Sequence, residues 1–218
     1  MKDAITFAVL ATDVAVLTVD GSDIKVLLTT AKSKNFKGQP VLPGGLVGHL
    51  ETTEEATSRI LKDVLSQTDF FIEQLYTFDD PKRDPEGRVV SVAYVMFVPW
   101  NVATKIIRAN ASWQAVKMLP RLGYDHNEIV KAAVKRLMGK LTYTNIVYTL
   151  MPQEFTLSAL QKTYEVVLGI SLDKRNFIKK IKSLNLIEKT AHKVEGSAHR
   201  PATLYSFVER KYKRVDLF

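Results

Sequence analysis

The chain has no cysteine among its 218 residues. That excludes disulfides, a thiolate nucleophile and any cysteine-ligated zinc site. No apolar run approaches the roughly 20 residues a membrane span requires, so no membrane partner is expected. The opening MKDAITFAV holds an acidic residue and no small-residue cleavage site behind an apolar stretch, which predicts a cytoplasmic protein without a secretory leader. Internal repeats and low-complexity segments are lacking as well. Histidine is scarce: His49, His126, His192 and His199 show no metal-ligand spacing and read as ordinary surface or core residues.

What is present suits a globular protein of two modest domains, with 46% hydrophobic and 25% charged residues. The formal net charge is +8, and it is unevenly spread. From Leu141 onward thirteen Lys and Arg face seven Asp and Glu, so the C-terminal part carries most of the excess. Such asymmetry points to a polyanionic partner for that part.

The first hundred residues read as strands around one helix. ITFAVLATDVAVLTVDG and IKVLLTT are rich in Val, Ile, Leu and Thr and flank a turn at Asp20, Gly21 and Ser22, as two paired strands would. A Pro-Gly-Gly turn starts at Pro43. Thr52 then precedes Glu55 by three residues, the reciprocal capping pattern, and opens a helix through TTEEATSRILKDVLS. RVVSVAYVMFVP is an apolar run suited to a buried strand. From DHNEIVKAAVKRLMGKL the pattern is helical, with Gly139 expected to mark its end or a joint. These readings place two domains at residues 1–140 and 141–218.

Counting from Gly45 exposes a motif. Five residues separate Gly45 from Glu51, and seven separate Glu51 from Arg59, with LPGG just ahead. This spacing resembles the Nudix box, Gly, five residues, Glu, seven residues, then Arg-Glu-aliphatic-any-Glu-Glu. In that family, carboxylates one helical turn apart hold Mg²⁺ or Mn²⁺ against a pyrophosphate and orient the attacking water. Here the three positions after Arg59 that should be Glu are Ile60, Asp63 and Val64. Two of the three are aliphatic, so neither catalytic nor metal-binding residues are expected and the box reads as scaffold. An ion pair or cap between Glu51 and Arg59 would shape its loop.

DDPKRDPEGRVVSVAY resembles a stretch shared by Nudix-related transcriptional regulators, and DHNEIVKAA, GKLTYT, FTLSALQKTYEVVLG, DKRNF and RPATLYSF are similar to that family too. The resemblance covers nearly the whole chain. It implies an α+β protein: an N-terminal Nudix α/β/α sandwich with a mixed sheet, joined to a C-terminal winged helix-turn-helix. It also implies a ligand-responsive repressor, often of NAD-metabolism genes, acting as a homodimer on double-stranded DNA operators. ADP-ribose or a related nucleotide or sugar is the implied effector, with no cofactor. Departures exist: many relatives carry two Arg and a Trp where this chain has Thr30, Ala31 and Pro40. Candidate ligand-binding residues are Gly44, Gly45, Glu51, Arg83, Asp84 and Arg88. Arg83 and Arg88 could grip a phosphate bidentately, or could form a salt-bridged loop with Asp80 and Asp84.

LDKRNFIKKIKSLN, wound at about 100° per residue, puts Phe177, Ile178, Ile181 and Leu184 on one side. Arg175, Asn176, Lys179 and Lys182 fall on the other, flanked by Lys174 and Lys180. That is the makeup of a recognition helix. Arg and Asn can read guanine and adenine edges, while the lysines suit phosphates. The amphipathic TLSALQKTYEVVLG precedes it across a short turn, and Leu186 to Thr190 with Ala202 to Phe207 form an expected hairpin. Its loop, with Lys193, Gly196, His199 and Arg200, suits a wing. The helix near His126 to Met138 is the natural lever between sensor and DNA-binding part. Two other readings stand beside this one: a Nudix pyrophosphatase acting on ADP-ribose or an NAD-like dinucleotide, and a constitutive DNA-binding protein with an empty Nudix shell.

Overall fold

A seven-stranded sheet forms the centre of the N-terminal part. Residues 7–108, 110–193 and 202–215 are described by a computed structural model of the chain. The strands are β1 (Val9–Val19), β2 (Ile24–Thr30), β3 (Pro40–Val41), β4 (Gly44–Leu46), β5 (Ile72–Phe78), β6 (Val89–Phe97) and β7 (Ala111–Ala115). Their order is β3-β2-β1-β6-β5, with β4 added to β1 and β7 to β2. From Ala11 on, β1 is buried along its whole length, which is why its apolar residues show no alternation. The expected turn at Asp20 is present, with Asp20 Oδ1 accepting from the backbone N–H groups of Ser22 and Asp23.

Helix α1 (Thr53–Val64) begins at the capping box: Thr52 accepts from the Glu55 N–H, and the Glu55 carboxylate accepts in return from Thr52. This satisfies N-terminal donors that no helical turn can reach. Its apolar face buries Ala56, Thr57, Ile60, Leu61 and Val64 at three and four residue steps. A short helix, α2 (Trp100–Ile106), follows β6. Helix α3 (His126–Tyr143) is longer than expected and passes through Gly139 without ending there. Leu137 and Leu141, both fully buried, hold the turns on either side of the glycine. Their packing outweighs the roughly 1 kcal/mol that glycine costs inside a helix.

Contacts divide the chain into two units, the second of which takes Thr18–Ile24, Phe97–Lys105 and everything from Val134 on. That unit holds the end of α3, a 3-10 turn at Ile146–Thr149, α4 (Leu157–Leu168), α5 (Lys174–Ser183) and an antiparallel hairpin of β8 (Ile187–Lys193) and β9 (Thr203–Phe207). Gly169 ends α4 in the left-handed region, at φ 68°, where a side chain would be strained. The tail after β9 lies along the end of α3. Val215 N–H donates to Tyr143 O, while the buried Asn145 side chain donates to Lys211 O and accepts from Lys213 N–H. Arg210 donates to the carbonyl oxygens of Tyr148, Met151 and Pro152, and so caps the 3-10 turn. The sheet with its helices, followed by helices and a hairpin, is the α+β class expected. Among the described residues no helix is long and apolar enough to cross a membrane.

Candidate functional site

The end of α1 shows what became of the Nudix box. Ile60 and Val64 are 5% and 4% exposed and pack in the core with Leu61, while Asp63 faces solvent. Gly45 on β4 adjoins Ile60, whose Cδ1 would lie 3.6 Å from a Cβ built on the glycine. The expected ion pair is present. Arg59 donates through Nε to Glu51 Oε1 and through Nη2 to Oε2, both at 2.7 Å, and through Nη2 to Leu46 O. Glu51 Oε2 also accepts from Gly48 N–H. The Arg59 guanidinium, assisted by that N–H, pulls the Glu51 carboxyl down to about 2. Both Glu51 oxygens are thus committed to shaping the loop. Among the described residues no three His, Asp or Glu side chains stand close enough together to hold a metal ion.

A second cluster lies deeper. Asp13, on β1, is 5% exposed, and Arg83, from the β5–β6 loop, is 6% exposed. Arg83 Nη2 bridges Asp13 Oδ2 at 3.0 Å and Asp125 Oδ1 at 2.8 Å, and its Nε donates to Asp125 Oδ2. Ser91 on β6 donates to Asp13 Oδ2 at 2.6 Å. His126, first residue of α3, completes the group. Its Nδ1 accepts from the Leu42 N–H at 2.9 Å, so that nitrogen carries a lone pair and Nε2 carries the proton, 3.3 Å from Asp13 Oδ1. Burial raises the Asp13 carboxyl, but His126, Ser91 and Arg83 together outweigh it and hold the group at about 2. Four segments distant in sequence are tied here to the start of α3.

The approach to α3 is equally tight. Tyr124 adopts φ 57°, unusual for a side chain of its size, with its ring 4.2 Å from Phe36 and 5.2 Å from His126 between centroids. Gly123 N–H donates to Pro40 O.

The Arg83 side chain is therefore committed inside the domain, and its partners are not the Asp80 and Asp84 carboxylates offered as one of the two alternatives. Those two carboxylates instead accept from the backbone N–H groups of Lys82 and Glu86. Arg88 is half-buried and donates to Asp79 O at 2.6 Å. Gly44 and Arg83 meet at Asp13, Gly45 lies on β4, and Glu51 lies in the loop between β4 and α1. Asp84 and Arg88 belong to the β5–β6 loop. The reading of residues in sequence missed Asp13, Ser91, Asp125 and the partners of His126. Asp13 was the available signal, a lone acid in an apolar strand that burial obliges to find partners.

In the C-terminal unit α5 has the two faces expected. Phe177 and Ile181 are buried, and the Phe177 ring packs edge-on against Tyr164 of α4 with centroids 5.5 Å apart. Lys174, Arg175, Asn176, Lys179, Lys180 and Lys182 are all exposed. Asp173 caps the helix by accepting from the Asn176 N–H. The hairpin strands pair as expected, while Gly196, His199 and Arg200, and the side chain of Lys193, lie outside the described residues.

The family model for the NrtR DNA-binding winged helix domain matches residues 147–207. Over 92% of its length the chain is 31% identical to a protein of Acinetobacter baylyi described as an ADPR responsive transcriptional repressor, NtrR, covering 82% of that relative. Over 52% of its length it is 33% identical to an ADP-ribose pyrophosphatase of Methanocaldococcus jannaschii, covering 69% of that protein. Among solved structures, Shewanella oneidensis NrtR in complex with a 27mer DNA superimposes with a TM-score of 0.81 at 28% identity, covering 91% of this chain and 93% of that one. The NUDIX domain of the same protein, complexed with ADP ribose, gives a TM-score of 0.52 at 26% identity, covering 63% of this chain and 93% of that one.

Proposed function

The chain belongs to the NrtR-type family of Nudix-related transcriptional regulators, and from that premise we propose that it is an ADP-ribose-responsive repressor that binds double-stranded operator DNA as a homodimer. The observation that carries this reading is α5: one face buried on α4, the other offering Lys174, Arg175, Asn176, Lys179, Lys180 and Lys182 to solvent. Sensing falls to residues up to about 140 and DNA binding to those from 141. The effector site comprises Gly44, Gly45, Glu51, Asp84 and Arg88, with Arg83 holding the loop from inside. In the DNA-binding half, Arg175 and Asn176 read base edges near the start of α5, and the lysines and Arg200 neutralise phosphates. Regulation requires effector binding to change DNA affinity by about 1 to 3 kcal/mol, or roughly 5- to 150-fold. Fluorescence anisotropy on a duplex selected by the protein from a random pool, with and without ADP-ribose, tests it. Equal affinity in both conditions overturns the proposal.

The likeness to the Methanocaldococcus enzyme favours a second reading, an ADP-ribose pyrophosphatase with a basic accessory domain. It requires metal-ligating carboxylates on α1, where Ile60 and Val64 are instead core residues. Metal-dependent release of AMP from ADP-ribose at ordinary turnover would establish it.

A further inference from the structure

The turn that feeds α5 is held by two side chains of α4. Gln161 and Glu165 stand four residues apart, hence on one helix face, and both reach Leu172. Glu165 Oε1 accepts from the Leu172 N–H at 3.0 Å, and Gln161 Nε2 donates to the Leu172 carbonyl at 2.9 Å. The two side chains also bond each other, Gln161 Nε2 donating to Glu165 Oε1 at 3.0 Å. Both backbone groups of Leu172 are thereby satisfied by one helix, in a segment where no helical or sheet partner is available. The next residue, Asp173, is the cap of α5, and its carboxylate takes the N–H of Asn176 at 2.8 Å.

Packing alone leaves α5 some freedom. Only Phe177 and Ile181 are buried along its ten residues. Such contacts set the distance between α4 and α5 but resist rotation of α5 about its axis weakly. A recognition helix reads through its first turns, and a base contact demands placement within a fraction of an ångström. The bonds to Leu172 fix the chain immediately before those turns.

We propose that Gln161 and Glu165 are positioning residues for sequence-specific DNA reading, fixing Leu172 and thereby the rotational setting of Arg175 and Asn176. This rests on the reading of α5 as a DNA-recognition helix. The Leu172 N–H and the Gln161 amide both lower the Glu165 carboxyl, so Glu165 is ionised at neutral pH. That charge gives the inference an opposing alternative. A carboxylate beside a polyanion repels it, so on electrostatics alone removing Glu165 tightens all DNA binding.

The test uses the full chain and two duplexes of equal length, one selected from a random pool by the unaltered protein and one scrambled. Glu165→Ala and Gln161→Ala are expected to lower the ratio of selected to scrambled affinity by about tenfold or more, as a lost base contact would. Affinity for the scrambled duplex holds, or rises for Glu165→Ala. Glu165→Gln keeps an acceptor for the Leu172 N–H and so keeps the ratio while tightening both. A ratio unchanged in both alanine variants overturns the inference. So does Glu165→Gln losing as much discrimination as Glu165→Ala. Thermal melts followed by circular dichroism confirm folding, and Gln161→Met, which keeps bulk and loses only the donor, replaces Gln161→Ala if that variant does not fold. If the unaltered protein selects no sequence, the DNA-recognition reading itself fails, a result distinct from either of these.

Discussion

Asp13 Oδ1 sits where any side chain on Gly44 would have to go: a Cβ built at position 44 would stand 2.0 Å from that oxygen. The pairing of β4 with β1 places Gly44 opposite Asp13, and from there the carboxylate meets Ser91, His126 and Arg83. Gly44→Ala is therefore expected to displace Asp13 and break a buried ion pair, at a cost of about 3 kcal/mol. Urea unfolding measures it. A loss below about 1 kcal/mol would show that the β3–β4 turn yields instead.

The same carboxylate sets a pH dependence. Its folded pKa of about 2 lies below the ordinary 3.8, so the stabilisation it brings is fully present above 3.8 and is lost as the pH falls through about 2. By linkage this amounts to about 2 kcal/mol. Urea midpoints followed down from about pH 5 should fall over that window. Asp13→Asn should be less stable at neutral pH and should fall less steeply across the window, the remaining slope coming from Glu51, which is also held at about 2. A wild-type curve flat from 3.8 downward would contradict the assignment.

Restoring glutamate at Ile60 and Val64 tests the fate of the Nudix box. Both side chains are in the core, so each substitution buries an unpaired carboxylate. Ile60→Glu is expected to destabilise the domain by about 3 kcal/mol or more and to raise the pKa of the new carboxyl. Thermal melts of the single and double variants read the cost. Stable variants that hydrolyse ADP-ribose with Mg²⁺ would show that these positions open to solvent.

On α5 the two expected classes of contact separate by salt. Lys179→Ala and Lys180→Ala should each lower the slope of log affinity against log salt by about 1, with little change in sequence preference. Asn176→Ala should leave the slope unchanged and cost about 1 to 3 kcal/mol on the selected duplex alone. Anisotropy titrations at several salt concentrations check both. Identical behaviour in all three variants would place Asn176 on the backbone as well.

What could be read from residue order was local. The Thr52 and Glu55 cap, the two faces of α5, Gly169 ending α4 and the buried run of β6 each depend on neighbours a few residues away, and each appears in the structure. The Glu51–Arg59 pair was legible from the spacing of the Nudix box, although the loop ahead of α1, rather than helical periodicity, brings Glu51 back onto Arg59. The Asp13 cluster was not. Asp13 and Arg83 are 70 residues apart, and only the pairing of β1 with β4 and β6 and the approach of α3 unite them. Arg83 was noticed for its charge, but whether a guanidinium meets a phosphate or a buried carboxylate depends on tertiary placement. Gly139 misled for a related reason: a weak local preference was overruled by the packing of Leu137 and Leu141.

The residues beyond Phe207 give the protein's architecture a practical boundary. Asn145 binds the returning chain through Lys211 and Lys213, and Tyr143 binds it through Val215, so the segment matched by the winged-helix family model, 147–207, omits both halves of a clasp. Any transplantable or separately expressed DNA-reading body must begin within α3 and extend at least to Val215. Ended before Arg210, it would expose the amide of Asn145 and leave the cap on the 3-10 turn unmade; begun after Asn145, it would lose the residue that binds the returning chain.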